Sequence, residues 1–339
     1  MPRLNPNMFL DDDYEIYADR HQHRLASYKP NHVAKKLEEE VLVEISDHSG
    51  GERINFTYKA SRHEREWLQD ALGNFFDEQW LDDVLRLIKG GKEANVYQCL
   101  GNETSGAELL AAKVYRPRKF RNLRNDYLYR EGRTDLDSSG NQITNDGMLQ
   151  AIRKRTTFGL QLLHESWIEY EYQALKKLHA AGADVPRPLA RGHNAILMEY
   201  IGDPWQAAST LNRVRLKQDQ TKDLFERILW NIDLMLGMSI IHGDLSAYNI
   251  LYKANKLVLI DFPQVVAPLE SQNAFEIFTR DVQRICEYFN RYGLRNQPEK
   301  IASQLWRAHG YRIQPDADPF YLDPDNEADR SYWSLSVIE

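Results

Sequence analysis

The sequence predicts an α+β protein of two lobes, a smaller β-rich lobe followed by a helical one. Its 339 residues suit about two domains or lobes of ordinary size. Short apolar runs with strand character begin near residue 89, and segments with helical spacing of apolar residues dominate after residue 156. With 42% hydrophobic and 27% charged residues, the composition is that of a globular protein.

Simple counts exclude several classes of protein. Two cysteines, Cys99 and Cys286, are too few for a disulfide scaffold or a cysteine-rich zinc module. No apolar run approaches the roughly 18 residues of a membrane span, and residues 1–13 lack a signal-peptide pattern. We therefore expect a cytoplasmic protein without a membrane partner.

Charge is distributed unevenly along the chain. The net charge is −7, yet residues 313–339 contain seven acidic residues and one arginine, a net of −6. We predict a partly ordered N-terminal arm over 1–60, a folded domain over 61–312 and an acidic C-terminal tail over 313–339. Because the remainder is nearly neutral, the overall charge does not exclude nucleic-acid binding.

The N-terminal lobe is predicted to span residues 61–201. Residues 61–88 show helical spacing of large apolar side chains: Trp67, Leu68, Leu72, Phe75, Phe76, Trp80, Leu81, Val84, Leu85 and Ile88. Two apolar runs, 94–100 and 109–115, then predict a β-hairpin. The polar stretch 116–156 is too long for an ordinary connection and is predicted to be a flexible insert.

The remaining elements lead into a helical C-terminal lobe, predicted over 202–312. A long helix after residue 156 and a buried strand over 195–201 complete the first lobe. A second long helix is predicted over 219–241. Two short apolar runs between residues 249 and 260 flank a polar turn and predict a second hairpin, and residues 273–312 are again helical.

The strongest chemical signal surrounds the second hairpin. Asp244 stands five residues before Asn249, and Asp261 follows twelve residues after Asn249. Phosphoryl transfer needs a carboxylate that accepts the proton of the acceptor hydroxyl, and oxygen ligands that hold Mg²⁺ against the phosphates. Asp244 is therefore the candidate base, and Asn249 with Asp261 the candidate metal ligands. His242 is expected to pack and to hydrogen-bond the loop backbone.

A lysine in the first lobe completes the set. Lys113 lies in an apolar strand, where an unpaired cation would be costly to bury. Glu171 on the following long helix can supply the opposite charge. Glu169 is the competitor, but it stands two residues away and points elsewhere on the helix.

Two further segments suit a nucleotide. Gly90, Gly91 and the small residues after them would let backbone N–H groups approach phosphate, and Lys92 adds positive charge. Residues 198–201 end a buried strand, and their backbone could hydrogen-bond the edge of adenine.

Together these motifs resemble the RIO-type atypical serine/threonine protein kinases. Residues 91–97 are similar to their phosphate-binding loop, 242–249 to their catalytic loop and 260–264 to their metal-binding segment. The similarity extends to residues 167–175, 198–200 and 280–282, and covers residues 60–312. The resemblance implies a two-lobed protein-kinase-like fold that lacks a full activation loop.

The resemblance also implies a site for ATP with Mg²⁺, or Mn²⁺ in its place. It implies catalytic roles for Lys113, Glu171, Asp244 and Asp261, and metal binding by Asn249 and Asp261. The residues implied around the nucleotide are Gly90, Gly91, Lys92, Glu93, Ala94, Val96, Lys113, Met198, Glu199, Ile201 and Leu251. Serine autophosphorylation and an acyl phosphate on Asp261 are implied as well.

Partners follow from the resemblance and from one basic segment. The family phosphorylates proteins, itself included, and often acts as an ATPase switch in small-subunit ribosome maturation. Residues 116–133 combine seven arginines and lysines with Phe120, Tyr127 and Tyr129, a composition that suits RNA phosphate. An RNA or ribosomal partner and a plain solvated insert both remain open.

Some residues depart from the family pattern, and two other functions stay open. Gly90 stands where many members have Ser or Thr, and Ala247 replaces a frequent Glu. No winged-helix segment is evident, although residues 261–264 resemble the branch that has one. The alternatives are a small-molecule phosphotransferase of the aminoglycoside or choline kinase type, and an ATP-gated assembly factor.

Overall fold

The computed structural model describes residues 54–116 and 133–313. The predicted acidic tail, most of the basic segment and most of the predicted N-terminal arm therefore lie outside the described residues. Of the described chain, Ser61–Asp70 belong to one compact unit and the other residues to a second, which contains the candidate site. The first helix of the described residues, α1, spans Arg62–Asp77.

The first sheet has five antiparallel strands in the order β1-β2-β3-β5-β4. Its strands are β1 (Leu81–Gly90), β2 (Ala94–Gly101), β3 (Leu109–Tyr115), β4 (Pro188–Arg191) and β5 (Ala195–Glu199). The β2–β3 hairpin forms as predicted. Strand β3 lies in the middle of the sheet, where Lys113 pairs with Val96 on one side and Ile196 on the other.

Strand β1 corrects the prediction of a helix over residues 61–88. Only α1 is helical, and residues 81–90 pair with β2 instead. The pairing has three register shifts, one of them between Leu81 and Asp83. A bulge adds an unpaired residue, so the buried positions Leu81 and Val84 fall three residues apart rather than two. This spacing imitates a helix in the sequence.

Among the described residues between β3 and β4, two segments are helical. Helix α2 (Asp146–Arg153) lies within the insert predicted over 116–156, so part of that insert has regular secondary structure. Residues 137–142 form a turn in which Asp137 Oδ1 accepts hydrogen bonds from the Ser139 and Asn141 amides. Helix α3 (Thr157–Ala180) is the predicted long helix, and the Thr156 hydroxyl caps its N-terminus.

The described residues from 202 to 313 form three α-helices and a small sheet. These elements are β6 (Ser209–Thr210), α4 (Gln218–Gly237), β7 (Ile250–Lys253), β8 (Lys256–Leu259), α5 (Ala274–Asn290) and α6 (Pro298–Ala308). The β7–β8 hairpin turns at Ala254 and Asn255, whose φ angles of 48° and 64° suit a tight two-residue turn. The helix predicted over 273–312 is two helices, interrupted at Gly293 with a φ of 88°.

A large apolar core joins α4, α5, α6 and the β7–β8 hairpin, and the hairpin displays the candidate residues at its two ends. None of the described helices combines the length and hydropathy that a membrane span requires. Cys99 and Cys286 are buried free thiols, and burial raises the pKa of Cys286 to about 11. Neither thiol is therefore set up as a nucleophile at neutral pH.

Candidate active site

Lys113 is the centre of a cluster of charges in which Lys113 and Glu171 are buried and Asp261 is partly exposed. Its Nζ lies 2.6 Å from Glu171 Oε1 and 2.5 Å from Asp261 Oδ1. The predicted partner Glu171 is thus confirmed, and the competitor Glu169 instead pairs with Arg191 at 2.9 Å. The cluster connects the middle strand β3, helix α3 and the residue after the β7–β8 hairpin.

Burial and ion pairing shift the pKa values of Lys113 and Asp261 in opposite directions. Burial alone would lower the pKa of the Lys113 ammonium, but Asp261 and Glu171 hold that pKa above its usual range. Burial alone would raise the pKa of the Asp261 carboxyl, but the Lys113 ammonium overcomes it and the pKa lies below its ordinary value. Lys113 and Asp261 are therefore both charged at neutral pH.

Two further hydrogen bonds fix Glu171, which is 1% exposed. The Tyr115 hydroxyl donates to Glu171 Oε2 at 2.7 Å, and the Phe262 amide donates to Oε1 at 3.3 Å. Phe262 directly follows Asp261, whose φ of 73° is left-handed. Glu171 thus holds both the lysine and the backbone that presents Asp261.

Two residues, Asn249 and Arg284, hold Asp244 in its loop. Asn249 Nδ2 donates to the Asp244 carbonyl at 2.9 Å and to its Oδ2 at 3.2 Å. Arg284 of α5 forms an ion pair with the Asp244 Oδ1 at 2.7 Å. Asp244 remains partly exposed, so the carboxylate is oriented but accessible to an acceptor.

The turn before Asp244 depends on Asp281 of α5. The Gly243 amide donates to Asp281 Oδ2 at 2.8 Å, and the Arg280 guanidinium donates to the Gly243 carbonyl. Burial raises the pKa of the Asp281 carboxyl, and Arg280 opposes that rise. As expected, His242 packs: its ring lies 4.5 Å from that of Phe262, and its Nε2 contacts the Ile260 carbonyl at 3.2 Å.

Gly243 can be replaced only at a large cost in stability. Its φ is 83°, and an added Cβ would lie 2.1 Å from the Gln264 carbonyl oxygen. Gly182 has a φ of 84° but open space around it, and is the matched control. We expect Gly182→Ala to lower the unfolding free energy by about 1 kcal/mol and Gly243→Ala by about 3 kcal/mol or more in urea titrations. Equal losses would contradict the close contact.

The glycine loop between β1 and β2 meets a steric demand at one position. A Cβ on Gly91 would lie 2.7 Å from the Ala94 carbonyl oxygen, whereas Gly90 would make only an ordinary contact with Asn95. The loop is also tied to Asn95, whose Oδ1 accepts from the Gly91 amide at 3.4 Å and from Arg116 at 3.2 Å. Gly91, not Gly90, therefore requires glycine here.

The segment predicted to meet adenine ends strand β5. The Glu199 amide donates to the Arg187 carbonyl, and the Ile201 carbonyl accepts from Ala208. No described residue accepts the Ile201 N–H, which leaves this donor for a ligand. Met198 packs against the core, and the side chain of Glu199 is exposed.

The candidate metal ligands fit a hard cation in part. Hydrogen bonds from the Asn249 Nδ2 leave its Oδ1 without a donor among the described residues. A carboxylate and an amide oxygen are ligands that Mg²⁺ accepts, with phosphate oxygens and water completing its shell. No group of three or more His, Cys, Asp or Glu residues suits a metal within the described chain. A cation here would therefore depend on a bound phosphate.

Three supporting residues were not assigned by sequence reasoning. Tyr115 stands two residues after Lys113 on β3, and that shared strand face is a signal that could have identified it. For Asp281, the only sequence signal is that residues 280–282 resemble the family. Arg284 has no local signal, because its contact with Asp244 depends on how α5 packs against the loop.

The chain is similar to known proteins over this region. The RIO domain family model matches residues 95–301. The RIO-type serine/threonine-protein kinase Rio1 of Haloferax volcanii is 32% identical over 61% of this chain and 63% of its own length. The serine/threonine-protein kinase RIO1 of Chaetomium thermophilum is 28% identical over 65% of this chain and 42% of its own. The RIO-type serine/threonine-protein kinase Rio1 of Methanocaldococcus jannaschii is 27% identical over 79% of this chain and 90% of its own length. The match thus spans less than two thirds of the first two relatives.

Proposed function

The chain belongs to the RIO domain family, and we propose that it is an ATP- and magnesium-dependent protein serine/threonine kinase that also phosphorylates itself. The observation that supports this best is that the β7–β8 hairpin connects two groups of candidate residues. The Asp244–Asn249 loop precedes the hairpin, and Asp261 after it pairs with Lys113, which also pairs with Glu171. The family match covers both groups of residues. The proposal includes a kinase domain over residues 61–312, with the boundary between its two lobes near residue 202.

The proposed roles follow from the charges and hydrogen bonds. When bound, ATP supplies the phosphoryl group and Mg²⁺ neutralises charge on its phosphates. Lys113 would bind phosphate oxygens, and Glu171 keeps that ammonium in position. Asn249 and Asp261 would hold the cation. Gly91 and its neighbours would approach phosphate with backbone N–H groups, and the Ile201 N–H would bind the base.

Asp244 would act on the acceptor. Arg284 and Asn249 orient its carboxylate, so that one oxygen can accept the proton of an acceptor hydroxyl. Residues around the loop position this group before any acceptor arrives, which reduces the reorganisation needed for transfer.

A protein acceptor is favoured over a small molecule, since the similar proteins are named protein kinases. Two quantities should be measured, the release of ADP and the transfer of label from ATP to protein. The acceptors are a generic protein and a panel of sugars, amines and aminoglycosides, each with Mg²⁺ or with EDTA. We expect magnesium-dependent label on protein and no stimulation by the panel. Rapid ADP release with one small molecule, without labelled protein, would contradict the proposal.

A role in RNA or ribosome assembly, and a cytoplasmic location, stay predictions. Residues 117–132 of the basic segment lie outside the described residues. At its ends, Arg116 donates to Asn95 and Arg133 donates to the Val265 carbonyl. Those two arginines are therefore already engaged within the protein.

A further inference from the structure

A polar groove shares helix α5 with the candidate site and has no part in the roles above. Its volume is about 640 Å³. It runs between the segment before α4 and the C-terminal end of α5. Its polar lining residues are Asn212, Arg215, Gln218, Tyr288, Arg291 and Tyr292.

The groove is positively charged. Arg215 and Arg291 line it, and no acidic residue does so among those described. Both arginine side chains are exposed, and neither forms an ion pair with any described residue. Their guanidinium groups are therefore available to an anion, and arginine binds carboxylate and phosphate with paired N–H donors.

The walls of the groove are held in place by tyrosines. The Tyr288 hydroxyl donates to the Leu211 carbonyl at 2.8 Å, and the Tyr292 hydroxyl to the Val214 carbonyl at 3.3 Å. These bonds join α5 to the segment that presents Arg215. The two arginines thus stand on elements that are connected to each other, rather than on separate surface loops.

The same helix face leads from the groove to Asp244. Arg284, Tyr288 and Arg291 stand at positions i, i+4 and i+7, which share one face of a helix. Arg291 caps α5 with helical backbone angles. With a rise of about 1.5 Å per residue, Arg291 lies roughly 10 Å along the axis from the arginine that holds Asp244.

We propose that this groove selects polypeptide acceptors that bear an anionic side chain, carboxylate or phosphate, about three residues from the phosphorylated hydroxyl. An extended peptide advances about 3.3 Å per residue, so three residues cover the roughly 10 Å between the two arginines of α5. Arg291 and Arg215 would bind the anion while the hydroxyl lies at Asp244. The inference rests on the proposed kinase function and names its substrate class.

Two measurements on the full chain test this. Serine peptides of one sequence carry Asp, phosphoserine, Ala or Lys three residues before or after the serine. We expect kcat/KM to be about tenfold higher for an acidic peptide than for the Ala peptide, with less preference at high salt. In the double variant Arg215→Gln/Arg291→Gln, the ratio of kcat/KM for the acidic peptide to kcat/KM for the Ala peptide should fall to about one. Arg307→Gln removes an exposed arginine on α6 and should keep the wild-type ratio.

Fluorescence anisotropy of the same peptides separates the groove from catalysis. We expect tighter binding of acidic peptides, lost in the double variant. If that pattern appears but no peptide is phosphorylated, the groove stands and the kinase proposal fails. If all peptides are phosphorylated equally and bind equally, the kinase proposal stands and the groove is overturned. A preference for acidic peptides that persists in the double variant also overturns the groove proposal. Comparison of the Asp and phosphoserine peptides shows which anion is preferred.

Discussion

Changing Asp244 to asparagine is expected to slow phosphoryl transfer by about 10²- to 10⁴-fold, because an amide cannot accept the acceptor's proton. The variant keeps the shape of the side chain and its contact with Asn249. It loses the Arg284 ion pair, whose two side chains are 34% and 44% exposed. An exposed pair contributes at most about 1 kcal/mol, so the fold should persist.

The measurement is the single-turnover rate of label transfer from ATP, together with a thermal unfolding curve for each variant. Asp223→Asn, an exposed position on α4, is the matched control and should behave as the wild type. If Asp244→Asn retains half of the wild-type rate, Asp244 is not the base. A large drop in unfolding temperature would instead show that its role is structural.

Replacing Lys113 by methionine should have the second large effect, on both activity and stability. The change leaves Glu171 buried without its cation, and removal of one partner from a buried ion pair costs about 3–5 kcal/mol. Phosphate binding should be lost with the ammonium. Transfer is expected to fall by about 10²-fold or more even at temperatures where the variant is folded.

The stability loss in Lys113→Met should depend on pH. In the wild type the pKa of Asp261 is held below its unfolded value, so its contribution is present above about pH 4 and is lost as the pH falls through the folded pKa. The variant lacks this contribution. The difference in unfolding free energy should therefore be largest near pH 7 and should decrease as the pH falls below about 4, measured by urea titration.

The double variant Lys113→Met/Glu171→Gln separates the loss of stability from the loss of activity. It removes the buried unpaired charge, and the glutamine can still accept from Tyr115. We expect stability to recover by at least half while activity stays lost. If Lys113→Met is as stable as the wild type at pH 7, the cluster does not have the buried ion pairing described here.

The parts of the site that sequence could predict are local. Asp244 and Asn249 are five residues apart, and a tight hairpin brings Asp261 back beside them, so spacing alone predicts their association. Glu171 could be chosen over Glu169 because helix geometry separates residues two apart. These predictions needed no knowledge of how distant elements pack.

The parts that failed depend on pairing and packing. In β1 the bulges shift buried residues to a spacing of three, and only the pairing with β2 distinguishes that strand from a helix. Arg284 belongs to α5, forty residues after Asp244, and its contact follows from tertiary packing. The groove likewise arises where two separate segments meet, and no pattern in either of them indicates it.

The most direct test of the account is mass spectrometry of the wild-type protein and Asp244→Asn after incubation with ATP and Mg²⁺. Peptide mapping distinguishes phosphoserine, phosphoaspartate and unmodified protein. We expect phosphoserine in the wild type and little or none in Asp244→Asn or in EDTA. No phosphate on the wild type and none transferred to a protein acceptor, or equal phosphate in both proteins, would contradict it.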